Sequence, residues 1–444
     1  MTKQSEKIAH KQPKKKQFRY FDSYISKLLK IGQPEKGITA NARQQFNSVL
    51  VYITEILADK AISVALRSNK KTVSAEEIGT AARLVFDGEF LTNALDSADK
   101  AVEMYQKSAK QGSKQARAGL VFPPSVTEKF IRKFGVSKMM VTQTAPIVLS
   151  AIVEQLATRL LEAAGSKALE NKKVRLTVRN FELAVREDEE MNNFFHRYNI
   201  HFIGGGSVPF IHPTLKKKKP RRRKVVLEGE ENTTKAHRFK PGTVALRNIK
   251  KMQKVSNQLV LAKAPFEKVV RQCFRCDEPP KVAKQVFLLI QYCVEARIVD
   301  LLKQSTLAAI HGNRVKVLPE DIDFIMAIKE GRTPLMVDVI DKEDATEEES
   351  EKSEFDPLLE GLTKPSLQRL ARQAGVKTMA NECVGVIRKF VVADLNKICR
   401  DVLILNQQRK TKTVMLEDVM NALVEQGDRV AKSDQLGSKT CAAH

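Results

Sequence analysis

Asn69-Lys-Lys-Thr-Val-Ser-Ala-Glu-Glu-Ile78 sets two lysines ahead of a β-branched pair, then a serine able to cap and two acids that open a helix. The same order recurs in Asn171-Lys-Lys-Val-Arg-Leu-Thr-Val-Arg-Asn-Phe181, Gly312-Asn-Arg-Val-Lys-Val-Leu-Pro-Glu-Asp-Ile322 and Arg409-Lys-Thr-Lys-Thr-Val-Met-Leu-Glu-Asp-Val419. Each copy reads basic loop, extended pair, cap, helix. Their starts lie 102, 141 and 97 residues apart, so a period near 100 is lengthened once by about 40.

Ahead of each loop, apolar residues recur at intervals of three and four, the spacing of one helical face. They are Phe46, Leu50, Ile53, Leu57, Ala61 and Val64 in the first copy and Leu149, Ile152, Val153, Leu156, Leu160 and Ala163 in the second. The third has Val286, Leu289, Ile290, Val294, Ile298 and Leu301, the fourth Ile387, Val391, Leu395, Ile398 and Val402. Each stripe predicts a helix of about 25 residues, roughly 37 Å long. A shorter amphipathic helix precedes each long one, as at Tyr24 to Ile31 and Phe266 to Arg271, and another follows each loop. A unit of about 70 residues with so much apolar circumference needs a partner unit, so four copies predict two intramolecular pairs.

Composition agrees with a helical, polyanion-binding chain. The 444 residues carry 76 basic and 52 acidic side chains, a net charge of +24, with no tryptophan and 20 glycines. No apolar run reaches the roughly 18 to 20 residues that span a bilayer, and the N-terminus lacks a secretory apolar stretch. The expectation is a soluble intracellular protein without membrane partners. Six scattered cysteines predict reduced thiols rather than a disulfide framework.

A helix triplet with basic loops at both turns resembles the histone fold, and the four units resemble the core histones in the order 2B, 2A, 3, 4. The first does so in Ser23-Tyr-Ile-Ser-Lys-Leu-Leu-Lys30, Gly37-Ile-Thr and the helix after Gly88-Glu89. The second does so in Arg117-Ala-Gly-Leu-Val-Phe-Pro123, Arg186-Glu-Asp-Glu-Glu190 and Ile203-Gly-Gly-Gly-Ser-Val-Pro209, which resembles the docking segment of histone 2A. The third carries His237-Arg-Phe-Lys-Pro-Gly-Thr-Val-Ala-Leu-Arg247, Ala264-Pro-Phe266 and Ala309-Ile-His311, and the fourth Gly361-Leu-Thr-Lys-Pro365, Arg369-Leu-Ala-Arg372 and Gly375-Val376. The fold class expected is all-α, four tandem histone folds forming two handshake pairs. The chain is similar to the fused histones encoded by large DNA viruses. The segments expected are 1–108, a basic tail and 2B-like fold; 109–215, a 2A-like fold with docking segment; 216–336, a basic linker and 3-like fold; 337–357, an acidic linker; and 358–444, a 4-like fold with its tail.

The resemblance implies a structural protein, not an enzyme, in which two chains form an octamer-like core and wrap double-stranded DNA. Groove-inserting positions match Arg117, Arg175, Arg247, Lys281 and Arg314, with Arg271 and Arg372 nearby and Lys70, Lys172, Lys173, Lys410 and Lys412 on the rim. An acidic patch matches Glu89, Glu154, Glu162, Asp188, Glu189 and Glu190; it reads as a solvated face or as a dock for basic peptides, and the resemblance favours the dock. His311, Arg314 and Asp321 match the positions where two copies of histone 3 meet, giving a homodimer with a His-to-Asp contact. The sites expected are the nucleus, or a viral replication site and the virion.

Departures matter too. Met140 and Thr378 stand where first-loop arginines are expected, Arg159 interrupts the acidic patch, and Leu405 and Asn421 replace the aromatic contacts that dock histone 4 on histone 2B. Docking between the outer and central pairs is therefore expected to be weakened, unless the covalent link offsets it. Asp338 to Asp356, with ten acids and two lysines, stands where histone 4 has a basic tail. Lys14 to Lys16 and Lys216 to Lys224 read equally as nuclear-import signals or DNA-binding tails. Cys273 and Cys276 form a CxxC with no second pair at zinc-ribbon spacing, so no metal or cofactor is expected, and no phosphate loop or catalytic constellation stands out. The runner-up is a histone-fold transcription or chromatin factor binding DNA with a partner complex. An RNA-binding or enzymatic scaffold would need stacking aromatics or a catalytic cluster.

Overall fold

The computed structural model describes residues 20–108, 112–134, 139–216, 242–254, 259–274, 280–329, 362–409 and 413–431. The basic runs at 14–16 and 217–224, the acidic stretch 338–356, Lys410, Lys412 and Cys276 lie outside the described residues. The chain divides into two compact bodies, Met1–Glu162 and Ala163–His444.

Four short-long-short helix triplets follow one another. The first is α1 (Asp22–Gly32), α2 (Ala40–Arg67) and α3 (Ala75–Val85), extended by α4 (Gly88–Lys107). After a single turn, α5 (Lys114–Arg117), come α6 (Pro124–Phe134), α7 (Ala145–Glu170) and α8 (Val178–Glu187), followed by α9 (Glu189–Arg197). The third is introduced by α10 (Thr243–Lys254) and comprises α11 (Lys263–Cys273), α12 (Lys284–His311) and α13 (Pro319–Lys329). The fourth is α14 (Lys364–Ala374), α15 (Cys383–Arg409) and α16 (Leu416–Glu425). The long helices are 28, 26, 28 and 27 residues, and all four leading helices have 11.

The apolar stripes named from spacing are buried, with two exceptions. Val64 and Ala163 are half-buried, while Ala65 and Ala164 next to them are fully buried. A helix of 3.6 residues per turn drifts against a strict three-four pattern, so near the end of a long helix the buried face moves on by one position.

Short parallel strands join the triplets in pairs. In the first body Thr72–Val73, after α2, lies beside Met140–Val141, before α7. In the second body Lys281–Val282 pairs with Thr413–Val414, and Lys316–Val317 with Thr378–Met379. The first loop of each fold thus meets the second loop of its partner, at both ends of the third-fourth pair. The core of that pair is continuous: Phe266, Leu289, Ile298, Ile387, Leu395 and Val402 belong to one buried cluster.

Each second loop is closed by the same local device. Glu77, Asn180, Asp321 and Asp418 accept from the backbone N–H of Ser74, Thr177, Leu318 and Met415 at 2.8, 3.0, 2.8 and 2.8 Å. A side-chain oxygen three residues into the helix thereby satisfies an orphan donor at its start. Where that residue is an acid, a loop cation meets it: Lys70 on Glu77 at 2.6 Å, Arg314 on Asp321 at 2.7 Å and Arg409 on Asp418 at 2.5 Å. Burial alone would raise the Glu77 carboxyl, but its bonds to Lys70 and Ser74 outweigh that and hold it down at about 2. Asn69, Lys172 and Asn313, at the exits of α2, α7 and α12, share a left-handed backbone with φ of 52°, 53° and 56°.

A further element of the second body rests on the third-fourth pair. The strand Ile200–His201, after α9, runs parallel to Arg429–Val430, after α16, with Arg429 N donating to Asn199 O at 2.8 Å and Ala431 N to His201 O at 2.9 Å. The expected docking segment continues from it. Arg179 Nη1 donates to Gly205 O (2.7 Å) and Ser207 O (2.8 Å), and Tyr292 Oη donates to Phe202 O at 2.5 Å. Gly205 is required there, because a Cβ would stand 2.8 Å from Glu182 Cβ. Gln253, at the end of α10, donates to Phe210 O at 2.9 Å and Gln373 O at 3.3 Å, tying the segment to the helix before the third fold and to the fourth fold.

Candidate nucleic-acid interface

The paired loops carry the cations. Lys172, Lys173 and Arg175 are exposed on the loop after α7, Lys281 on the first loop of the third fold, Arg247 on α10 and Arg271 at the end of α11. The Arg271 guanidinium lies 5.0 Å from the Phe287 ring centroid, which fixes its direction. Lys70 is exposed but turned onto Glu77.

Three predicted arginines are engaged within the fold. Arg117 sits 4.1 Å above the Tyr105 ring, donates to Ser108 Oγ (3.0 Å) and reaches Tyr105 O (3.2 Å). Arg372 Nη1 donates to Val376 O at 2.8 Å and to Lys377 O, and burial lowers its pKa. Arg314 holds both oxygens of Asp321, at 2.7 and 3.0 Å. These three can point a remaining N–H at a phosphate or a groove, but with their geometry already set.

The pairing also supplies what the sequence departures lack. Met140, 69% exposed, donates its N–H to Lys71 O at 2.9 Å, so Lys71 flanks it from the loop after α2. Thr378 is in register with Lys316, which is exposed. Lys71 and Lys316 thus stand beside the two positions that lack the expected arginines. Both were overlooked because the register between loops so far apart in sequence is set by the pairing of the folds.

The acidic residues divide between the two bodies. In the first, Glu154 Oε2 accepts from Val121 N (2.8 Å) and Phe122 N (2.7 Å), so this carboxylate anchors the segment before α6; burial raises its pKa. Glu89, in the first turn of α4, and Glu162 are exposed, and Arg159 lies 5.6 Å from the Phe90 ring centroid. In the second body Asp188 Oδ1 caps α9 through Met191 N at 3.2 Å, Glu189 is exposed and Glu190 half-buried.

Glu295 in the third fold repeats the Glu154 device in a deeper setting. It accepts from Val260 N, Leu261 N and Gln291 Nε2 at 2.9 to 3.0 Å, and burial pushes its carboxyl up to about 7 despite those bonds. The raised value means the folded state favours the protonated form. Its contribution is full below 4.5, the unfolded value, and is lost as pH rises through 7. That loss amounts to about 3 kcal/mol. Glu295→Gln is expected to remove this slope; urea midpoints at pH 5 and 8 that still diverge as in the parent chain would contradict the assignment.

A half-buried ionic network stands where the third and fourth folds meet the strand Ile200–His201. Arg297 on α12 reaches Asp394 on α15, Asp428 Oδ2 at 2.7 Å and Gln426 Oε1 at 3.0 Å. Burial raises the Asp394 pKa against the pull of Arg297, and Asp394 Oδ2 has no partner among the described residues. Asp428 directly precedes the strand that pairs with Ile200–His201. Arg297→Ala leaves two half-buried carboxylates uncompensated and is expected to cost about 2 kcal/mol in chemical denaturation.

At the end of α12, His311 is exposed and Asp321, 5% exposed, is bound by Arg314 and Leu318 N within its own fold. Beside them Leu307, Phe324 and Ile328 are 53%, 45% and 52% exposed. Of the expected dimer set, the structure places Arg314 and Asp321 together locally; the apolar residues of this face were not singled out from sequence. Leu405 is half-buried and Asn421 exposed on the fourth fold.

Among the described residues no group of three or more metal-ligating side chains occurs, and no helix is long and apolar enough to cross a membrane.

An all-helical protein of tandem helix triplets, joined loop to loop with cations on the loops, is the class that this geometry defines. The family described as the core histone domain, which unites histones 2A, 2B, 3 and 4, matches residues 102–187 and 241–328. Histone 2A of Plasmodium falciparum is 41% identical over 114 residues, covering 26% of this chain and 84% of that protein. A histone 2A of Tetrahymena pyriformis is 42% identical over 108 residues (24% and 79%), and histone 2A of Kluyveromyces lactis 38% over 116 residues (26% and 87%). The solved histone from Methanopyrus kandleri covers 38% of this chain and 97% of its own, at 17% identity and a TM-score of 0.27. The chain belongs to the histone family.

Proposed function

We propose that this chain is a structural, non-enzymatic DNA-packaging protein: a single-chain set of core-histone folds in the order 2B, 2A, 3, 4, with the segment boundaries given above. The observation that carries the reading is the double loop pairing of the third and fourth folds, which sets Lys281 and Lys316 at opposite ends of one pair. A protein that wraps duplex DNA needs cations recurring along its rim, bound to phosphates and grooves rather than to base edges.

Two chains meet through the exposed face of Leu307, Phe324 and Ile328. The face is self-complementary, as a two-fold axis demands: His311 of one copy donates to Asp321 of the other, whose Oδ1 keeps a lone pair beyond its bond to Arg314. The third and fourth folds form the centre, and the first and second flank it. The acidic residues of the 2A-like fold dock basic peptides or tails. The protein works on DNA in the nucleus, or at a viral replication site and in a virion.

Salt titration on random-sequence duplexes tests the reading. Affinity is expected to fall steeply with salt, with no competitor sequence preferred. A flat salt response with one preferred sequence would favour a site-specific chromatin factor instead.

A further inference from the structure

The third and fourth folds each bring a cysteine to their contact. Cys273 ends α11 and is half-buried, while Cys399 lies in the middle of α15 with no exposed surface. α11 packs against α15, and Cys273 joins the apolar cluster that contains Cys399. The two thiols are in contact across this packing, and that contact lowers the Cys273 pKa and, together with burial, raises that of Cys399. Cys273 is therefore the partly accessible, thiolate-prone member, and Cys399 the neighbour held against it. The other described thiols differ. Burial pushes Cys293 up to about 12, and buried Cys383 donates to Val317 O at 3.5 Å.

We propose that Cys273 and Cys399 are an oxidation site, converted by a peroxide-class oxidant into a disulfide that joins the first helix of the third fold to the long helix of the fourth. The Cys273 thiolate attacks one peroxide oxygen; the O–O bond breaks, a sulfenic acid forms, and the departing hydroxide takes a proton to become water. Cys399 then attacks the Cys273 sulfur, the S–O bond breaks, and the hydroxyl leaves as a second water with the Cys399 proton. Two thiols are oxidised and one peroxide is reduced. The bond closes a long loop across the fold pair, so it restricts the unfolded chain far more than a local bridge and prevents the two folds from separating.

The full chain treated with hydrogen peroxide, blocked with an alkylating reagent and digested without reductant tests this. The expected product is a linked peptide pair containing Cys273 and Cys399, lighter by two hydrogens, together with a higher urea midpoint that reverts with dithiothreitol. Cys276→Ser is expected to form the bond as well as the parent chain, and Cys273→Ser to show no midpoint shift with oxidant. A Cys273 to Cys276 link, a stable sulfinic acid at Cys273, or both thiols recovered alkylated would overturn the proposal. The peptide map of the unmutated chain decides even if a variant fails to fold.

Discussion

Leu307→Asp with Phe324→Asp is expected to turn the two-chain particle into single chains. Both side chains stand about half exposed on the end of the third fold, and in the proposed two-fold dimer each substitution would enter the interface twice. Each removes the burial of a large apolar side chain, about 1.5 to 3 kcal/mol, and leaves a carboxylate in a desolvated face. The dissociation constant should rise by about four orders of magnitude or more. Sedimentation of the free protein reads this directly: the parent chain runs at twice the mass of its variant. The surface position of both residues leaves the fold pair intact, so thermal unfolding should barely move. A variant that keeps the parent mass would mean that the chains join elsewhere.

Replacing Lys71, Arg175, Lys281 and Lys316 together by alanine is expected to have the largest effect on DNA binding. All four are exposed on the loops, and two chains double them to eight. If each binds a phosphate, the slope of log K against log salt should fall by about 7, at about 0.9 per contact. The weakening should be uniform across sequences, since none of these contacts reads a base edge. Filter binding at several salt concentrations measures both. An unchanged slope would move the DNA path away from these loops.

How much was legible in the sequence follows the distance over which each feature is specified. The loops were readable because each is a local code: in three of the four, a cation, an extended pair and an acid three residues into the helix, which the structure closes as Lys70–Glu77, Arg314–Asp321 and Arg409–Asp418. The long helices were readable because their apolar period persists for seven turns, and the one-residue drift to Ala65 and Ala164 shows where a strict spacing stops matching a real helix. Features that join remote segments were not readable. Nothing near Thr378 announces that Lys316 lies beside it, nothing near Ile200 announces Arg429, and Cys273 and Cys399 are neighbours only once the two folds pair. Charged candidates were assigned by type rather than by engagement. Glu154 proves to bind backbone N–H groups, Arg117 stacks on Tyr105, and Asp321 is held by Arg314 before any second copy arrives.

The central claim is that two of these chains wrap one length of DNA. Nuclease digestion of the protein reconstituted on random-sequence DNA, by dialysis from high to low salt, tests it most directly when the complex is weighed as well. The histone octamer wraps about 147 bp, and the weakened docking expected between the outer and central pairs would shorten that length here. The account predicts a discrete protected fragment of about 120 to 150 bp and a mass that fits two chains. A smear, or a short footprint under a single chain, would contradict it.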